Sequence, residues 1–272
     1  MQIVWSSRRG ARNIEHVGSA HDKVERQVGP SCALHRGRAC AAGARLNGAV
    51  STRTGWLIAS AVLAVAVYAL MWIGYGFHWT WLAEFDTAGL TRPYRYDAAH
   101  PDWVAGWDLF CTVLSPVAFR IAALVAIVVA LVRRQLRIAL FLLLAIELSA
   151  LVTVLAKNLA DRPRPATALT HAPSTSFPSG HALGAMVGVL ALLTVAWPLL
   201  RAPLRTWLMV AGAVVVVAIG VGRVVLNVHH PSDVVAGWAL GYVYFVICWL
   251  VVRPYPTVTE VDGTPVAPDI AR

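Results

Sequence analysis

Apolar runs of membrane-spanning length limit how this chain can fold more than any other feature. Four are plain: GWLIASAVLAVAVYALMWIGYGF (55–77), FCTVLSPVAFRIAALVAIVVALV (110–132), IALFLLLAIELSALVTVLA (138–156) and HALGAMVGVLALLTVAWPLL (181–200). Each is near the ~20 residues a helix needs to cross a bilayer. A further apolar region, 206–252, is too long for one crossing and is interrupted by HHPSD at 229–233, so it divides into two. The expected fold is all-α: a polytopic membrane protein with a six-transmembrane-helix bundle over residues 55–253.

Composition agrees. Hydrophobic residues make up 58% of the 272 positions and charged residues 14%, well below the quarter or so usual in soluble domains. The net charge of +9 is not gathered into a basic patch interleaved with aromatics, so nucleic acid is not an expected partner. The arginines mark topology instead. Arg8, Arg9, Arg12, Arg45 and Arg53 precede the first span, while Arg133, Arg134, Arg137, Arg201, Arg205 and Arg253 fall in alternate connections. The positive-inside rule then puts both termini in the cytoplasm of a cell-membrane protein. The loop 78–109, with Glu84, Asp86, Asp97, Asp102 and Asp108 against Arg92 and Arg95, faces outward.

Residues 1–54 read as a disordered basic cytoplasmic tail and 254–272 as a short cytoplasmic one. No apolar stretch follows the basic start promptly, so the first span reads as a signal anchor. Cys32, Cys40, Cys111 and Cys248 suggest neither a disulfide framework nor a zinc-ligand pattern. Arg120 and Glu147, isolated in neighbouring spans, lie at depths that allow them to pair.

Polar groups that are costly in lipid collect at the outer ends of the last four spans. The third ends in KNLADRPRP (157–165), the fourth begins with PSGH (178–181), and GRVVLNVHHPSD (222–233) joins the fifth to the sixth. One set of loops thus gathers Lys157, Arg162, Arg164, Ser179, His181, Arg223, His229, His230 and Asp233. Phosphoryl transfer calls for such a set. Cations neutralise phosphate oxygens, and a helix N-terminus after a Ser-Gly turn offers backbone N–H groups and a favourable dipole. Gly180 lets the backbone approach the anion closely, with His181 beside it. If 229–233 opens a helix, His229 and Asp233 share a face, and the carboxylate holds the imidazole with its other nitrogen free to attack phosphorus.

These motifs, K-six residues-R-P from Lys157, PSGH, and R-five residues-H-three residues-D from Arg223, resemble in order the tripartite signature of the type 2 phosphatidic acid phosphatase family. The resemblance implies a membrane phosphatase of lipid phosphates or polyprenyl pyrophosphates that needs no metal or other cofactor and works through a phosphohistidine. Carried over, it implies His229 as nucleophile, Asp233 as its orienter and His181 as the acid that protonates the leaving oxygen. Lys157, Arg164, Ser179, Gly180 and Arg223 form the implied phosphate-binding set. The expected partners are a lipid phosphate substrate and the bilayer. The chain departs from the signature at Gly222, where the family usually has serine, and His230 and Arg162 stand as rivals to His229 and Arg164. A catalytically silent protein that binds or transports lipid phosphate through the same pocket is the alternative function.

Overall fold

Backbone N–H and C=O groups inside hydrocarbon must find partners within the protein, and a helix satisfies nearly all of its own. The computed structural model follows this rule. It describes residues 54–255; residues 1–53 and 256–272, which hold nearly all of the two expected tails, lie outside the described residues. Nine α-helices and no strand occur among them: α1 (Thr54–Gly76), α2 (Thr80–Asp97), α3 (Pro101–Val113), α4 (Pro116–Val132), α5 (Leu136–Leu142), α6 (Ser149–Ala160), α7 (Gly180–Ala196), α8 (Ala202–Val225) and α9 (Pro231–Val252). Six helical stretches are long and apolar enough to cross a membrane: α1, α3 with α4, α5 with α6, α7 with its short extension to Leu199, α8, and α9. The chain is a multi-pass membrane protein, and Val117, Ile121, Val125, Leu151, Val214 and Val217 stay exposed on its spans, as lipid-facing side chains do.

Two boundaries differ from expectation. The second span begins at Pro101 rather than residue 110 and breaks at Ser115–Pro116, because proline cannot supply the amide that a continuous helix needs there. The segment expected as the loop 78–109 is mostly helix, comprising α2 and the first residues of α3. Leu82, Asp86 and Leu90, spaced by four, form the buried row of α2, while Trp81 and Phe85 are exposed. In the third span a π-helical turn, Leu143–Glu147, joins α5 to α6. Glu147 Oε2 accepts a hydrogen bond from Arg120 Nε at 3.0 Å, so the anticipated intramembrane pair forms.

The centre of the bundle is the pair α7 and α9. Gly237 and Gly241, four apart on α9, let the helices touch backbone to backbone: a Cβ on Gly237 would sit 2.6 Å from the Ser179 carbonyl oxygen, and one on Gly241 2.8 Å from that of Leu183. Small residues at this spacing are a common device for close helix packing in membranes. The approach also brings together the N-terminal ends of α7 and α9, where PSGH and HHPSD lie.

Candidate active site

Two helix starts organise the site. At α9, His230 is the N-cap, Pro231 takes the first helical position, where its missing N–H costs nothing, and Asp233 at the third position accepts the His230 backbone N–H on Oδ2 at 2.8 Å. At α7, Ser179 caps the helix with its backbone N–H donated to the Asp233 carbonyl at 2.9 Å. The Ser179 hydroxyl is buried with no partner among the described residues, and first-turn amides of a helix have no acceptor within it. A phosphate oxygen fits both lacks.

The cations converge on this point. Lys157, in the last turn of α6, donates Nζ to the Thr175 carbonyl, and its Cε lies 3.9 Å from where a Cβ on Gly180 would be. Arg164 is fixed by the Ser174 and Val228 carbonyls, both at 2.6 Å, and its Nη1 lies 3.3 Å from His229 Nε2. Arg223, in the last turn of α8, is buried, and its Nε has no partner among the described residues. His181 lies within electrostatic reach of Arg223, His229, Arg164 and Lys157. All eight residues expected from the sequence at the site are therefore in one cluster at one end of the bundle.

His229 is 1% exposed. Its Nε2 faces the cations, and its Nδ1 faces Asp233 Oδ2 at 3.6 Å, too long for a hydrogen bond, so the carboxylate acts on the ring through charge. Burial lowers the His229 pKa to about 4; Asp233 opposes the shift, while Arg164 and Arg223 add to it. The ring is neutral near pH 7, with the Nε2 lone pair turned toward Arg164 Nη1. The Arg164 pKa is lowered first by burial and then by Arg223, with Asp233 opposing. Like charges held together in this way favour an anion between them.

The two rivals have other partners. His230 is the cap of α9, with Nδ1 3.2 Å from Asp233 Oδ2. Arg162 is enclosed: it donates to Asp233 Oδ1 at 2.6 Å, to Ser232 Oγ at 2.8 Å and to Asp86 Oδ2 at 2.7 Å, and lies over the Tyr75 ring. Ser176 Oγ also donates to Asp233 Oδ2. Asp86, Ser176 and Ser232 are thus site residues that the sequence reading missed. A usable signal for Asp86 was a carboxylate on the apolar row Leu82, Asp86 and Leu90. Gly222 has a packing reason, since a Cβ there would meet Cys111 Sγ at 2.7 Å and the Trp107 ring at 2.8 Å.

Known proteins resemble this chain in the same region. The PAP2 superfamily model matches residues 138–255. An undecaprenyl-diphosphatase of Sulfolobus acidocaldarius is 41% identical over 66 residues, 24% of this chain and 28% of the relative. A phosphatidylglycerophosphatase B of Bacillus subtilis is 36% identical over 110 residues, 39% of this chain and 54% of the relative. The chain thus aligns with only about a quarter and about half of these two proteins. The crystal structure of a transmembrane PAP2-type phosphatidylglycerolphosphate phosphatase from Bacillus subtilis superposes with a TM-score of 0.60 at 19% identity, covering 74% of this chain and 99% of that one, and so shares its fold. Residues 138–255, which contain all the cations and histidines of the cluster, are thus the part of the chain that is similar to the PAP2 superfamily.

Proposed function

We propose that this protein is an integral membrane phosphatase that hydrolyses a lipid phosphate or polyprenyl pyrophosphate at the outer membrane face through a phosphohistidine on His229. The observation that carries the reading is His229 Nε2, neutral and buried, facing Arg164 within a cluster whose Ser179 hydroxyl and Arg223 Nε have no partner among the described residues. The names of the two relatives, an undecaprenyl-diphosphatase and a phosphatidylglycerophosphatase B, support the substrate class.

In the proposed reaction the His229 Nε2 lone pair forms a bond to phosphorus as the bond to the bridging oxygen breaks. His181 gives that oxygen its proton, and the lipid alcohol or lipid phosphate leaves. Lys157, Arg164, Arg223, Ser179 and the Gly180 backbone take up the charge on the non-bridging oxygens. His181, now neutral, accepts a proton from water as the water attacks phosphorus and the N–P bond breaks, releasing phosphate and restoring both histidines. Asp233 supports the positive charge that His229 carries in between.

Purified protein is expected to release phosphate from at least one of phosphatidate, phosphatidylglycerol phosphate, a polyprenyl pyrophosphate and a polyprenyl-linked sugar phosphate. Anion binding without release from any of them would replace the enzyme by a lipid-phosphate binding protein. Placement at the outer face rests on the arginine distribution. A reporter inserted at 134–136 is expected to be cytoplasmic and one at 167–173 exported; the reverse pattern would put the cluster on the cytoplasmic side.

A further inference from the structure

Asp86 is 2% exposed, and its carboxylate is hydrogen-bonded to the start of α9 and to Arg162. Oδ1 accepts the Ser232 backbone N–H at 2.9 Å, and Oδ2 accepts the Ser232 hydroxyl and Arg162 Nη2, both at 2.7 Å. Arg162 then bridges to Asp233 Oδ1 at 2.6 Å. The two Asp233 oxygens are therefore divided: Oδ1 belongs to Arg162, while Oδ2 faces Ser176, His230 and His229. Asp86 lies in the buried row of α2 with Leu82 and Leu90, outside the matched family region.

We infer that Asp86 is a positioning residue for the reaction, acting through Arg162 and Ser232 to set the place of Asp233 and the charge it presents to His229. The inference rests on the phosphatase reading above. Asp86, Arg162 and Asp233 are an anion, a cation and an anion in line, leaving a single net negative charge behind His229. Without Asp86, Arg162 has only Asp233 to neutralise, and the net charge falls to zero. The positive charge that forms on His229 as it bonds to phosphorus then loses support. The other ionisable groups facing His229 are Arg164 after α6, Arg223 of α8, His181 of α7 and His230 of α9, with Lys157 of α6 beyond them; none of them changes in the comparison.

The test uses the full-length protein in detergent micelles, with p-nitrophenyl phosphate as the probe. The variants are Asp86→Asn, Arg162→Gln and the double variant. Thermal unfolding is measured on each, and kcat and KM are followed from pH 3.5 to 8. Asp86→Asn is expected to lower kcat about tenfold with little change in KM. It should also move the acid side of the kcat/KM profile about one unit lower, because a less negative surrounding makes protonated His229 less stable. Arg162→Gln leaves two carboxylates and should move that side higher. The double variant restores the single negative charge and should return it to near the wild-type position.

A role confined to holding α9 in place would instead raise KM, lower the unfolding temperature and leave the double variant worse than either single one. Profiles that coincide in all four proteins would overturn the inference. If Asp86→Asn is not recovered folded, the order of Arg162→Gln above wild type, with the double variant level with wild type, tests the same point, and coincidence again overturns it. A wild-type protein inactive on both the aryl phosphate and the lipid panel would instead sink the phosphatase reading.

Discussion

His229→Ala is expected to lose turnover of every substrate, by on the order of 10⁴-fold or more, because the proposed covalent intermediate cannot form without its imidazole. His181→Ala should behave differently according to the leaving group. Deleting a general acid typically costs about 10²- to 10⁴-fold, and an alkyl lipid phosphate, whose alkoxide leaves poorly, should suffer that loss. An aryl phosphate leaves readily as its anion and does not need the proton. His181→Ala should therefore still phosphorylate itself from the aryl substrate, and phosphohistidine should accumulate, since the same residue is needed to activate water in the second step. Acid-labile phosphate on the denatured protein measures this directly. Phosphoenzyme formed by His229→Ala but not by His230→Ala would reverse the roles of the two neighbours. The geometry argues against that outcome, because His230 caps α9 through Asp233 whereas His229 Nε2 lies 3.3 Å from Arg164.

Gly237→Val should also be strongly damaging, although residue 237 is a full turn away from Asp233. The added Cβ would lie 2.6 Å from the Ser179 carbonyl oxygen, 3.0 Å from Ala182 Cβ and 3.3 Å from the Leu183 backbone nitrogen. Two of these are backbone atoms, so the strain cannot be relieved by a side-chain rotation; α9 must move away from α7. The bond from the Ser179 N–H to the Asp233 carbonyl would lengthen, and His229 with Asp233 would part from Ser179 and His181. A displacement near 1 Å at reacting groups can cost about 10²-fold in rate, and a loss of at least that size is expected while the protein still inserts in the membrane. Gly106→Ala is the control, because nothing lies within 4 Å of the added carbon, and its activity should match wild type. Full activity in Gly237→Val would show that the close approach of the two helices is not what assembles the cluster.

The six spans and the three polar motifs were legible because each is encoded locally. A run of apolar residues must cross or be buried wherever it sits, and Pro231 with Asp233 starts a helix by its own chemistry. The spacing of His229 and Asp233 likewise follows from one turn of helix. Helices in the segment 78–109 were not legible, since α2 has Pro93 inside it and a polar face, and its buried row matters only because Pro231 and the α9 start pack against it. Gly89 makes that packing possible, with a Cβ there falling 2.4 Å from Pro231.

What each ionisable residue does was decided by tertiary structure. Arg162 and Arg164 are two residues apart and chemically the same, yet one is enclosed by Asp86 and Asp233 and the other faces His229. The difference comes from partners more than sixty positions away in the chain, and no local pattern carries it. Gly222 is a similar case, its size set by Cys111 and Trp107 of another helix. The sequence by itself determined the membrane-spanning helices and the kinds of groups at their ends, because hydropathy and helix periodicity act over a few residues. Which cation meets the histidine, and which carboxylate stands behind it, depended on how distant helices pack, because charge and hydrogen bonding act only between groups that the fold has brought within a few ångströms.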